Sequence, residues 1–122
     1  MENELIINFR DLPKEVREEK RSEKNSMQRR LLKNENRLKQ FALEHSSKPV
    51  ACEICGKSID TNTLSSFQVH AELHSFDENE YFVRKNLHIV CSANCHGKYR
   101  NERYRLSDGN IYEYDKFERY KD

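Results

Sequence analysis

Long apolar runs are absent from this sequence. The longest uninterrupted one, Leu5-Ile6-Ile7, falls far short of the roughly 18 residues that a bilayer-crossing helix needs. Nor does the chain open on a basic-then-apolar leader. The expectation is a soluble, cytoplasmic protein in a reducing compartment, with no membrane partner. Apolar residues are scarce altogether, at 35% against 35% charged, where globular domains typically carry about 45–50% and 25%. Over 122 residues, that composition excludes a two-domain enzyme and leaves a small core. An excess of either charge is also missing: 22 Lys and Arg face 21 Asp and Glu, for a net charge of +1, so total charge selects no partner. Tryptophan is lacking, and the Lys- and Asn-rich remainder has the composition of many small viral or mobile-element proteins. A small core usually needs a staple such as a disulfide, a metal or a partner. Four cysteines are present, and in a reducing compartment they are thiolate ligands before they are disulfides.

Charge is distributed unevenly. Residues 1–48 hold 12 Lys and Arg against 9 Asp and Glu, and residues 49–122 hold 10 against 12. From about Pro13 to Glu44 there is no internal Gly or Pro, and good helix formers dominate. Met27, Leu31, Leu38, Phe41 and Ala42 recur at spacings of three, four and seven, which predicts one long amphipathic helix. Its apolar stripe could rest on the rest of the protein or on a second copy in a homodimer. Its basic residues Lys20, Arg21, Lys24, Arg29, Arg30, Lys33, Arg37 and Lys39 could instead neutralise phosphates. Ser46-Ser47-Lys48-Pro49 breaks the helical pattern. The chain therefore divides into a charged helical arm, 1–48, and a second unit, 49–122.

In the second unit, Phe67-Gln68-Val69-His70-Ala71 alternates as a strand and Leu87-His88-Ile89-Val90 is a second β-prone run. Residues 75–85 are acidic and polar, as in a surface loop. Ser92 is a plausible N-cap for a helix reaching about Arg103. Asp108-Gly109 between two aromatic-rich runs is a two-residue hairpin signal. The terminal Tyr104, Tyr112, Tyr114, Phe117 and Tyr120, interleaved with Arg105, Lys116 and Arg119, could complete the core or stack on bases.

The cysteines fall into two pairs. Cys52-Glu-Ile-Cys55-Gly56-Lys57 has knuckle spacing, with Gly56 freeing the backbone to turn beneath an ion. Cys91-Ser-Ala-Asn-Cys95 offers one thiol from a strand end and one from the first turn of a helix. Four soft ligands in two pairs suit tetrahedral structural Zn²⁺; iron–sulfur, redox and disulfide uses are the alternatives. Knuckle, hairpin and helix together make the arrangement called a treble clef. The expected fold is a small α+β zinc domain of treble-clef (ββα) type, preceded by the long basic helix.

Residues 52–100 resemble the HNH nuclease family. The resemblance is carried by the Cys52/Cys55 knuckle, Val69-His70, Asn86-Leu87 and Cys95-His96-Gly97-Lys98. It implies a metal-dependent DNA endonuclease that hydrolyses phosphodiester bonds with a catalytic divalent cation such as Mg²⁺. By that resemblance His96 is a metal ligand, Asn86 orients the loop, and His70 is either the strand ligand or the general base. Lys98, Arg100 and Arg103 would contact flanking phosphates, as would Arg29, Arg30 and Lys33 of the arm.

The sequence departs from the family pattern in three places. Family members carry two adjacent polar residues on the first strand, whereas His70 stands between Val69 and Ala71; a bend would be needed to bring His74 beside it. Arg100 stands where many members have a further ligand, and the second cysteine pair has three intervening residues. The Cys-Ser-x-x-Cys form of that pair also resembles FCS and MYM-type zinc fingers. Those imply a non-catalytic module that binds nucleic acid or a protein.

Overall fold

The computed structural model describes residues 5–115. Its elements are β1 (Ile6–Asn8), α1 (Lys14–Leu32), α2 (Glu35–Glu44), β2 (Gln68–Ala71), β3 (Leu73–His74), α3 (Glu78–Tyr81), β4 (Leu87–Val90), α4 (Ala93–His96), β5 (Asn101–Arg105) and β6 (Ile111–Asp115). The fold is small and mixed α+β. One sheet has the order β1-β6-β5-β3, and a separate antiparallel pair joins β2 to β4. In that pair His70 faces His88 and Ala71 faces Leu87.

The two strands expected around His70 and before Cys91 are present, but the helical pattern resolves differently. The expected single helix is two, broken at Lys33-Asn34, where the Asn34 amide closes a tight turn onto the Leu31 carbonyl at 3.0 Å. The break redirects the apolar stripe, so that Met27 and Leu31 of α1 and Leu38 and Ala42 of α2 enter one buried cluster with Phe67, Ala71, Leu87 and Tyr104. Residues on both sides of the sequence boundary at 48 thus share a core. Met27, Leu31, Leu38 and Ala42 of the stripe are buried within the chain.

The basic face is also partly turned inward. Lys24 is buried, its ammonium 4.1 Å from the centroid of the Tyr114 ring and 5.4 Å from that of Tyr104. Lys39 is buried and donates to the Leu64 carbonyl at 2.8 Å. Lys20 pairs with Asp108 at 3.2 Å and Arg37 with Glu78 at 2.6 Å. Arg29, Arg30 and Lys33 remain exposed. Long cationic side chains can bury their stems and park the charge over aromatic faces or on carbonyls. Of the eight basic residues that could neutralise phosphates, Lys24 and Lys39 are therefore withdrawn from the surface.

The acidic stretch 75–85 is not a plain loop. Asp77 caps α3 by accepting from the Asn79 amide at 2.9 Å, and Tyr81 is buried at the end of that turn. Its acids are satisfied internally: Glu78 takes Arg37, and Glu80 takes Arg105 at 2.7 Å. The helix expected to reach Arg103 ends at His96, and residues 101–105 form β5, paired with β6 on one side and β3 on the other. Sheet pairing overrides the helix propensity of this charged segment. The C-terminal hairpin forms as expected, with Gly109 at φ +83°. Its connection is longer than two residues, because the Gly109 amide closes onto the Leu106 carbonyl and the Leu106 amide onto Asn110. Tyr104 and Tyr112 are buried in the core; Phe117 and Tyr120 lie outside the described residues, as do Lys116 and Arg119.

Met27 is almost fully buried at the junction of helices and sheet. Met27→Ala is expected to cost about 2–4 kcal/mol, with a single unfolding transition in urea. A loss below about 0.5 kcal/mol, the range of substitutions at neutral surface sites, would show that the helices are not part of the same cooperative unit.

Candidate functional site

Residues 50–59 fold back on themselves: Ile59 donates to the Val50 carbonyl at 3.0 Å, and Ala51 bridges Ser58. At the tip, the Cys52 amide donates to the Lys57 carbonyl at 2.8 Å and the Gly56 amide to the Cys52 carbonyl at 2.9 Å. Gly56 adopts φ +79°, a left-handed conformation that side-chain-bearing residues rarely take. This turn places Cys52 and Cys55 on one side. Cys91 leaves the end of β4, and Ser92 caps α4 by accepting from the Cys95 amide at 3.3 Å, which presents Cys95 from the first turn.

The four sulfurs converge, all lying within 4.8 Å of one another. Cys55 and Cys91 are 3.5 Å apart, and Cys91 and Cys95 are 3.6 Å apart. Four thiolates about 2.3 Å from a tetrahedral ion lie about 3.8 Å from each other, so the donor set fits such an ion closely. These separations are far too long for disulfides, and all four cysteines are free. The cluster could hold a metal ion such as zinc, with no coordination position left for substrate.

The four sulfurs are not electrostatically equivalent. Burial opposes ionisation at Cys52, but backbone amides, including those of Cys55 and Ile54, aim at its sulfur and lower its pKa to about 6. Burial and the neighbouring sulfurs push Cys95 up to about 12. Protons shared among crowded sulfurs are what a bound metal displaces.

Beside the cluster, the β2–β4 pair and α4 bring His70 and His96 together, with ring centroids 5.3 Å apart and an edge-to-face angle of 68°. His70 is buried and stacks on Tyr99 at 4.1 Å with the planes 8° apart. His96 uses Nδ1 to meet Gln68 Oε1 at 2.8 Å. Asn86 is buried and clamps the start of β3: its Oδ1 accepts from the Leu73 amide at 2.8 Å, while its Nδ2 donates to the Leu73 carbonyl at 3.0 Å and the Tyr81 carbonyl at 3.2 Å. His74 is separated from His70 by the bend at Glu72 and lies in the other sheet. There it stacks on Tyr104 at 4.7 Å, with Nε2 3.9 Å from Glu102. Among the described residues, the only group of three or more His, Cys, Asp or Glu ligand atoms gathered closely enough to hold an ion is the four cysteines.

The candidate phosphate contacts are dispersed. Lys98 is exposed in the turn after α4. Arg100 meets Asp115 at 2.8 Å and Arg103 meets Glu113 at 2.9 Å, both across the β5–β6 pair. Arg30 lies over the Phe76 ring at 5.3 Å.

His88 is a further site residue that the sequence motifs did not single out. Its Nδ1 meets Glu53 at 2.9 Å and its Nε2 meets Glu72 at 2.6 Å, tying the knuckle to the bend after β2. Burial works against its charge, but the two carboxylates prevail and raise its pKa above 6.5. It lies opposite His70 in the β2–β4 pair, a register that local sequence does not announce.

Comparison with known proteins returns no matching family model, no matching curated protein and no matching solved structure.

His74 supplies a pH test. Burial lowers its pKa from 6.5 to about 4, against the opposing pull of Glu102. Between those values the unfolded chain takes up a proton that the folded chain refuses. The contribution of this residue is therefore fully present above pH 6.5 and is lost as pH falls towards 4. Across that interval the native chain should lose on the order of 3 kcal/mol more stability than His74→Phe, measured by urea denaturation. Parallel pH profiles for the two proteins would contradict this.

Proposed function

We propose that the chain is a zinc-stabilised module of HNH-like, treble-clef design that binds nucleic acid without cutting it. Support for the frame comes from the knuckle, the β2–β4 pair and α4 meeting at four cysteines, with His70 and His96 side by side on the strand–helix face. Zinc is the ion that best suits four thiolates in a closed site.

The observation that carries the non-cleaving reading is Ala71. With His70 as the base, the apolar Val69 would take the ligand position; with His70 as the ligand, Ala71 stands where HNH nucleases place the second polar residue of the strand, and it is 3% exposed within the apolar core. A methyl group there cannot take a proton from water. His74, the natural substitute, is held in the other sheet against Tyr104 and Glu102. Neutral imidazole within reach of the attacking water is what general-base hydrolysis needs.

Nucleic acid, DNA first, is the favoured partner because Glu72, Glu78 and Glu80 are engaged by His88, Arg37 and Arg105, and Asp77 caps α3. Arg29, Lys33 and Lys98 face solvent with no carboxylate partner among the described residues, and Arg30 beside them is exposed. The second reading, hydrolysis with a cation such as Mg²⁺ held by His70 and His96, is favoured by the closeness of those two rings.

Purified protein should bind a DNA duplex but leave plasmid intact in Mg²⁺, Mn²⁺ or Ni²⁺. With three to four phosphate contacts, affinity should fall by about 50-fold or more for a fourfold rise in salt. Nicking that disappears in His96→Ala would establish the nuclease instead. Binding to a protein with flat salt dependence, and none to DNA or RNA, would replace the nucleic-acid reading altogether.

A further inference from the structure

A cleft of about 300 Å³ opens between the helical pair and the sheets. One wall is aliphatic, built from leucines of α1 and α2 together with Val69 and Ala71 of β2. The opposite side is polar and aromatic, with His74, His96, Tyr81 and Glu102, and Gln28 and Glu35 complete the lining. Its volume is at the lower end of small-molecule sites, and its mix of apolar wall and few convergent polar groups is typical of them.

Three features select the ligand. First, among the described residues the lining contains two carboxylates, Glu35 and Glu102, and neither Lys nor Arg. Lys39 meets Glu35 at 3.7 Å and Lys24 interacts with Glu102, so the surroundings are close to neutral and favour an uncharged group that can hydrogen-bond. Second, His74 Nδ1 is buried and has no hydrogen-bond partner among the described residues. A buried polar atom left unpaired costs about 1–3 kcal/mol, which a ligand can recover. Third, the ring is held in place by Tyr104 stacking, and Nε2 is the nitrogen facing Glu102 at 3.9 Å. With its proton on Nε2, the neutral ring offers a lone pair at Nδ1. Glu102 adds a second acceptor and is itself fixed by the Tyr104 hydroxyl at 3.1 Å, which Gln28 supports at 2.7 Å.

We infer that this cleft binds a single planar heterocycle bearing hydrogen-bond donors, of the size and chemistry of a nucleobase. Its donors would meet Glu102 and, once the His74 ring slides in its own plane along Tyr104 to uncover the buried atom, His74 Nδ1; its faces would lie against the aliphatic wall and Tyr81. The base could come from a free nucleoside or from one unstacked nucleotide of a strand. The strand form rests on the nucleic-acid reading above; the free form does not. Leu32, 65% exposed, stands at the mouth, and Lys33 follows it immediately.

The test uses the full zinc-loaded chain with ¹⁵N-labelled histidine. Adenosine, guanosine, cytidine and thymidine are titrated separately to millimolar concentration, followed by single-stranded oligonucleotides of mixed sequence. At least one nucleoside should shift the His74 ring resonances saturably. His74→Phe, which keeps the stacking ring, should weaken binding about tenfold or more, read from the tyrosine and methyl resonances of the cleft. Leu32→Trp, at an exposed position that does not threaten folding, should block entry while leaving the polar groups intact. The inference is overturned if no nucleoside gives a saturable shift, or if Leu32→Trp binds as well as the native chain. Nucleoside binding without oligonucleotide binding would uphold the cleft and remove the nucleic-acid reading. Oligonucleotide binding that leaves His74 unmoved, with no nucleoside bound, would do the reverse.

Discussion

Four sulfur atoms gathered within 4.8 Å are the constraint on which the rest of this structure depends. The two cysteine pairs lie 36 positions apart, counting from Cys55 to Cys91, and everything between them folds as an insert whose ends they fix. An unmetallated cluster of this kind is unfavourable, because thiolates repel one another and thiols crowd. A bound cation reverses both penalties and converts its binding free energy into folding free energy. That matters most in a chain with so few apolar residues, where burial alone leaves little margin.

Cys52 and Cys95 pack with Val90 in a small cluster of their own, and Ile59 joins it to the main core of Phe67, Leu87, Tyr104 and the helices. Aromatic rings and cations fill the space that aliphatic residues would occupy in a richer sequence. Lys24 against Tyr114, Lys39 against Phe67 and His74 against Tyr104 are examples. These contacts close the helical layer over the sheets and leave the cleft between them. The same residues that close the core thus set the character of the site: Tyr104 holds both His74 and Glu102.

Much of this was legible in the sequence, for identifiable reasons. Cysteine spacing and Gly56 report a local turn, so the knuckle could be read directly. Alternation around His70 and the β-branched run before Cys91 gave the two strands, and Asp108-Gly109 gave the hairpin. What escaped depends on distant partners. Residues 101–103 are locally helix-compatible, yet β6 and β3 claim them as part of β5. Lys24 and Lys39 sit on a charged helix where a helical wheel points them at water; only aromatic rings and a carbonyl from elsewhere in the chain explain their burial. Asn34 interrupts a helix with no Gly or Pro to announce the break. His74 looked like a neighbour of His70 because the bend at Glu72, which sends it to another sheet, has no strong signature. The pairing of His70 with His96 followed from motif spacing, and the tyrosine stacked on His70 did not.

The measurement that bears most directly on the central constraint is native mass spectrometry of the purified chain, paired with thermal unfolding before and after chelation. One tetrahedral ion, zinc by the donor set, should be retained per chain, and chelation should abolish the cooperative transition, with recovery on adding one equivalent of the metal. A chain that carries no stoichiometric ion, or that unfolds at the same temperature with the same cooperativity once stripped, would contradict the account.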